Sequence, residues 1–118
     1  ALDESDKIGA HEAYSGSKKA VARWMRRNAP AFARRGVTIN AIAPGYTETP
    51  MTKVVSDDPQ YGESIKRFKE SIPIGRAGEP KDIAALVDFL VGGESGFICG
   101  SVVFIDGGHD AMLRADEF

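Results

Sequence analysis

Cysteine, tryptophan and histidine are scarce in this sequence, with one, one and two residues in 118. The lone Cys99 cannot close an internal disulfide, which excludes a disulfide-stapled secreted domain and makes a reducing, cytoplasmic setting the expectation. His11 and His109 stand alone, without Cys or His at ligand spacing, so neither is expected to bind a metal. Charge of one sign is lacking too: 15 Lys and Arg against 17 Asp and Glu leave a net charge of −2, without the basic excess of a nucleic-acid surface. The longest apolar run, 83–91, is broken by Asp88 and falls far short of the ~20 residues that span a membrane, so no membrane partner is expected. No positively charged apolar leader is read at the start, which is Ala1 rather than Met, as expected of a processed chain or a piece of a longer one. Internal repeats and low-complexity segments are absent. With 42% apolar and 27% charged residues, the composition is that of a soluble single domain over 1–118.

Glycine is the residue in excess, 13 of 118, and asks for turns or close backbone approaches. Residues 10–35 are mostly helix formers ending at Gly36, which predicts a long helix, with a kink or restart at Asn28–Pro30 where proline removes a donor. A β-branched run from Val37 to Ala43, stopped by Pro44–Gly45, predicts a buried parallel strand. Residues 46–59 are rich in Thr, Pro, Asp and Ser and are expected to be loop. A polar helix is expected over 60–70 and an irregular stretch from Ile72 to Pro80. A helix starting at Pro80 then carries Ile83, Leu86, Val87 and Leu90 on one stripe. Ser101–Asp106 predicts a last strand closed by Gly107–Gly108. Helix, strand, helices, strand is half the period of a doubly wound parallel α/β sheet. The Gly-rich strand-to-helix turn of the nucleotide-binding half is missing. The expected fold is therefore α/β, the C-terminal half of such a domain.

Tyr14 and Lys18, four apart on the first helix, differ by only ~40° around its axis. A phenol with a reference pKa near ~10 is a poor proton donor or acceptor at neutral pH unless a cation stabilises its phenolate, and a lysine one turn away supplies one. The spacing is too common to specify an enzyme by itself. Pro44–Gly45 at a strand end suits the place where open α/β sheets bind ligands, because glycine lets a flat ring approach the backbone. Trp24, about 80° from the Tyr14 line, is expected to pack sideways, and Cys99 to be a small buried apolar residue.

Four blocks in order, Tyr14-Ser-Gly-Ser-Lys18, Val37 to Thr49, Ile74 to Pro80 and Phe104 to Gly108, resemble the short-chain dehydrogenase/reductase family over nearly the whole chain. Asp58 to Ser64 and Asp106 to Met112 resemble its hydroxysteroid dehydrogenase and carbonyl reductase branch. The resemblance implies a Rossmann-type domain and an NAD- or NADP-dependent oxidoreductase interconverting a secondary alcohol and a ketone on an apolar, steroid-like substrate. It implies Tyr14 as proton donor or acceptor, and Lys18 as its electrostatic partner and a ribose contact. Pro44 and Gly45 then lie beside the nicotinamide, with a backbone contact at Thr47 and a hydroxyl contact at Thr49. Segment 49–74 then reads as a lid whose Met51, Val54, Val55, Tyr61, Ile65, Phe68 and Ile72 either line an apolar slot or dock the lid helix on the core. The family's serine would fall near Ala1 in compact members and is expected further upstream, as is its dinucleotide loop. An epimerase or lyase on the same scaffold, and a non-catalytic dimerisation module, are the alternatives. A homodimer through the last helix and strand, with Phe89, Val102 and Phe104 in its patch, is expected. The Lys19, Arg23, Arg26 and Arg27 face of the first helix is expected to be left to solvent or to an acidic insertion.

Overall fold

A computed structural model describes residues 4–117, with side chains from Gly9 onward except at position 11. Ala1 and the side chain of His11 lie outside the described residues. The elements in order are helix α1 (Glu4–Arg34), strand β1 (Ala41–Pro44), helices α2 (Pro50–Ser56), α3 (Gly62–Ser71) and α4 (Pro80–Val91), strand β2 (Val102–Ile105) and helix α5 (His109–Leu113). A short 3₁₀ turn over Gly93–Ser95 follows α4. The backbone amide of Ala41 donates to Ser101 O and that of Gly45 to Ile105 O, both at 2.9 Å. The constant offset of 60 residues between the partners makes the β1–β2 pair parallel.

The residues group into two compact units. One comprises the chain up to Ala41 with Phe97–Val102, and the other Ile42–Gly96 with Val103–Phe118. In the first, α1 ends as its sequence dictates. Gly36 takes φ 78°, its amide donates to Ala33 O, and the Val37 amide donates to Phe32 O, the paired bonds of a Schellman stop. The expected break at Asn28–Pro30 does not occur: helix α1 continues through Pro30. Met25 and Ala29, one turn apart and 3% and 4% exposed, bury the helix on either side of the missing bond, so packing offsets the lost donor. The Asn40 side chain takes the part expected of a longer strand, its Nδ2 donating to Ile98 O at 3.0 Å and its Oδ1 accepting from the Ser101 amide at 3.0 Å. That is why β1 begins only at Ala41. Cys99 is half-buried, its thiol 3.6 Å from Ala29 O. Trp24 remains largely exposed and meets Phe32 edge-on at 6.3 Å, two turns along the same helix. Arg26 is not simply solvated: its Nη1 donates to Gly100 O at 2.6 Å.

In the second unit Ile72 and Ala77 are the buried apolar residues, and Ser95 is buried with its hydroxyl donating to Leu90 O and Gly92 O. The stretch 46–59, expected to be loop throughout, contains α2. Thr49 caps that helix in extended conformation and Pro50 takes its first turn. The last glycines lead into α5, an element the sequence pattern did not indicate. Asp106 organises it, its two carboxylate oxygens accepting from the amides of Gly108 and Asp110 at 3.0 and 2.7 Å. No helix among the described residues is long and apolar enough to cross a membrane.

Gly45 is a glycine for a steric reason. A Cβ there would lie 2.6 Å from Asp106 Cβ and 2.8 Å from Asp106 Cα, too close for backbone on the neighbouring strand to accommodate. Gly45→Ala should therefore destabilise the protein by at least about 2 kcal/mol, because rigid backbone must shift to admit the methyl group. Urea unfolding of the variant against the wild type measures it, and an unchanged midpoint would contradict the steric assignment.

Candidate active site

The sequence-predicted site residues divide between the two units. Tyr14 and Lys18 lie on α1 in the first. Pro44, Gly45, Thr47 and Thr49 lie in the second, running from the carboxyl end of β1 to the cap of α2. On α1 the helical spacing brings the Lys18 Nζ to 5.5 Å from the centre of the Tyr14 ring, over its face. The tyrosine is 64% exposed and the lysine is exposed as well, so the hydroxyl and ammonium are both open to a ligand. Ser17, between them in sequence, returns its hydroxyl to Tyr14 O at 2.8 Å and is occupied with the helix itself.

The segment after β1 is held extended by Gly78. The Gly78 amide donates to Tyr46 O, and the Glu48 amide donates to Gly78 O, both at 2.8 Å, forming an isolated parallel bridge centred on Thr47. In an extended chain, successive peptide groups point to opposite edges. The amide and carbonyl of Thr47 therefore face away from Gly78 and have no hydrogen-bond partner among the described residues. Its hydroxyl donates back to Gly45 O at 3.1 Å, which fixes the turn without using those groups. Thr49 accepts the Thr52 amide at 3.3 Å, and the Thr52 hydroxyl in turn accepts the Thr49 amide at 2.7 Å. Capping uses one lone pair of the Thr49 oxygen. The Thr52 hydroxyl donates to Thr49 O at 3.0 Å, which leaves the Thr49 hydroxyl as donor in the 3.4 Å contact between the two hydroxyl oxygens.

An open apolar groove of about 830 Å³ runs beside this segment, lined by Pro44, Thr47 and Thr49 together with Pro80, Ile83, Ala84, Val87, Asp88 and Val91. A smaller cleft of about 280 Å³ lies between Tyr46, Gly78 and Asp106, with Arg76 and Asp82 at its margin. Among the intended lid residues, Ile72 is buried in the unit core, whereas Met51, Val54 and Tyr61 are more than half exposed. Phe68 is engaged on both sides, edge-on to Tyr46 and to His109, each at 5.6 Å. Glu48, which no motif singled out, accepts from Lys69 Nζ at 3.2 Å and from the Ser56 hydroxyl at 3.4 Å.

The donor set suits a nicotinamide. A carboxamide offers one acceptor and a donor pair, and Thr47 presents one amide and one carbonyl without partners. Gly45, in the same unit, contributes no side chain at the strand end.

A family model described as Enoyl-(Acyl carrier protein) reductase matches residues 3–110. The chain is 39% identical over 117 residues to a 3-alpha-hydroxysteroid dehydrogenase/carbonyl reductase of Comamonas testosteroni, covering 99% of this chain and 45% of that protein. Among solved structures, the 3-alpha-hydroxysteroid dehydrogenase of Pseudomonas sp. B-0831 complexed with NADH superposes with a TM-score of 0.75 at 49% identity, over 92% of this chain and 42% of that one. A putative 2-deoxy-d-gluconate 3-dehydrogenase from Agrobacterium tumefaciens with bound NADP superposes with a TM-score of 0.71 at 36% identity, over 83% and 39%. The chain belongs to the short-chain dehydrogenase/reductase family and has its α/β fold. It spans less than half the length of the relatives it matches.

One electrostatic feature beside the site is testable directly. Asp82, in the first turn of α4, accepts from Arg76 at 2.9 Å and from the Glu79 amide at 2.8 Å, and these bonds hold its carboxyl below the usual range. A carboxyl whose folded pKa is depressed contributes stability in full above its unfolded pKa, ~3.9, and loses it as pH falls through the folded value. Asp82→Asn should therefore flatten the acid limb of the Tm-against-pH curve below about pH 4 while leaving its shape near neutrality unchanged. An acid limb as steep as wild type would show that the carboxylate is not held this way.

Proposed function

We propose that this chain is the C-terminal part of a dinucleotide-binding domain in an NAD- or NADP-dependent oxidoreductase that interconverts a secondary alcohol and a ketone. The observation that carries the reading is the Lys18 ammonium over the exposed Tyr14 ring, 5.5 Å from its centre, on one face of α1. Tyr14 would hold the proton at its Oη, giving it to the carbonyl oxygen in reduction and taking it from the hydroxyl in oxidation. Lys18 would favour the phenolate electrostatically and hydrogen-bond the nicotinamide ribose. Thr47 would hold the carboxamide through its unpaired backbone groups, and the Thr49 hydroxyl would add a donor. Pro44 and Gly45 would leave the ring room at the strand end. When bound, the nicotinamide supplies or accepts the hydride.

Support for an apolar, steroid-like substrate comes from the exposed Met51, Val54 and Tyr61 of the 49–74 segment, proposed as a lid, and from two relatives named as hydroxysteroid dehydrogenases. The dinucleotide loop and a catalytic serine would be supplied by sequence outside these residues. We place the protein in the cytoplasm. A homodimer is proposed through α4 and β2, where Phe89 and Phe104 are 43% and 47% exposed.

Tyr14→Phe should lower kcat with a ketone substrate by about 10²–10⁴-fold while leaving NADH affinity near wild type, and Lys18→Ala should lower both. Steady-state kinetics and fluorescence titration check this; a phenylalanine variant that keeps more than about a third of kcat would remove the proton-transfer role. The 118 residues made alone should show no saturable NADH binding at about micromolar concentration in calorimetry, because the phosphate-cradling loop lies elsewhere. Cross-linking should place Phe89 and Phe104 near a neighbouring copy. Cross-links confined instead to Arg23 and Arg26 would overturn the proposed interface.

A further inference from the structure

We propose that Phe68 and Lys69 of α3 are positioning residues for Thr47, so that the lid helix and the nicotinamide contact move as one piece. This rests on the proposed function of the segment.

Thr47 lies between two residues that the same helix holds. On one side of it Tyr46 packs edge-on against Phe68 at 5.6 Å. On the other, Glu48 pairs with Lys69 at 3.2 Å, with both side chains more than half shielded from solvent. Residues 46 and 48 share a side of the extended segment, and Phe68 and Lys69 are consecutive on α3, so two neighbouring helical residues grip both flanks of Thr47. His109 makes a second edge-on contact with Phe68 at 5.6 Å, which further restricts the ring.

The Thr47 hydroxyl bonds within the segment, to Gly45 O at 3.1 Å, and the remaining constraint from outside it is the backbone bridge to Gly78, two bonds of 2.8 Å. Two bonds of this kind do not fix the rotation of an isolated segment about its long axis. That rotation decides whether the free amide and carbonyl of Thr47 meet a carboxamide at hydrogen-bond geometry. The Phe68 and Lys69 contacts, made off the axis, are what resist it. Displacing α3 as a substrate enters would then turn Thr47 and alter the hold on the nicotinamide.

The test uses the native protein carrying Glu48→Gln, Lys69→Met, Phe68→Leu, the reversed pair Glu48→Lys with Lys69→Glu, and Lys66→Met as a control on the same helix. Amide hydrogen exchange at Glu48 and Gly78 is read without cofactor, and the Kd for NADH and kcat are read separately. Each single clasp variant should speed exchange at both amides. Each should also raise the Kd for NADH about three- to tenfold, and for Glu48→Gln and Lys69→Met kcat should stay within about twofold, as expected for loss of one half-buried ion pair or aromatic contact. The reversed pair should recover part of the affinity, and Lys66→Met should change nothing. Unchanged exchange in the clasp variants overturns the proposal, as does faster exchange with unchanged NADH affinity, or an equal effect from Lys66→Met. A wild-type protein that binds no NADH overturns the reading of the site, and the exchange data then still decide whether α3 holds the Thr47 segment.

Discussion

Everything in the second unit that bears on chemistry depends on how closely β1 and β2 approach at their carboxyl ends. Gly45 lies against Asp106 with no room for a side chain, and its amide donates to Ile105 O. From that fixed point the chain leaves the strand extended, is caught by Gly78, and enters α2 at Thr49. Asp106 in turn directs the chain into α5 through two carboxylate bonds. A methyl group at Gly45 would push both strand ends apart and move the loop that presents Thr47 together with the start of α5.

The chemistry assigned to the chain follows from which groups this arrangement leaves without partners. Buried backbone amides and carbonyls in folded proteins are almost all paired, so a half-buried pair without a partner at the end of a parallel strand is a place for a ligand to complete. Thr47 offers such a pair, and the polar side chains around it are occupied: its own hydroxyl on Gly45, Glu48 on Lys69, and the Thr49 oxygen on the start of α2. On α1 the logic is different. Tyr14 and Lys18 are brought together by helical spacing alone, in a part of the helix where the side chains are largely exposed.

Much of this was legible in the sequence because the signals are local. Gly36 announces the end of α1, Pro80 the start of α4, and the i, i+4 spacing the Tyr14–Lys18 pair. What was not legible arises where a local rule meets a second constraint. Pro30 reads as a break, yet burial of Met25 and Ala29 carries the helix through it. The Thr- and Pro-rich stretch after Tyr46 reads as loop, although Thr49 followed by Pro50 is also a helix start, and the composition masked the cap. Gly45 was expected to be glycine to admit a ligand, and its nearest demand is the neighbouring strand. The Glu48–Lys69 pair joins residues 21 positions apart, and no periodicity within either element marks it.

The central claim is that the free backbone groups of Thr47, in the second unit, are a nicotinamide contact. Titrating the isotope-labelled native protein with NADH and following individual resonances tests this most directly. The account predicts that the Thr47 amide shifts on titration and saturates with the dissociation constant of NADH itself. Saturation by NADH with the Thr47 amide unmoved would contradict it.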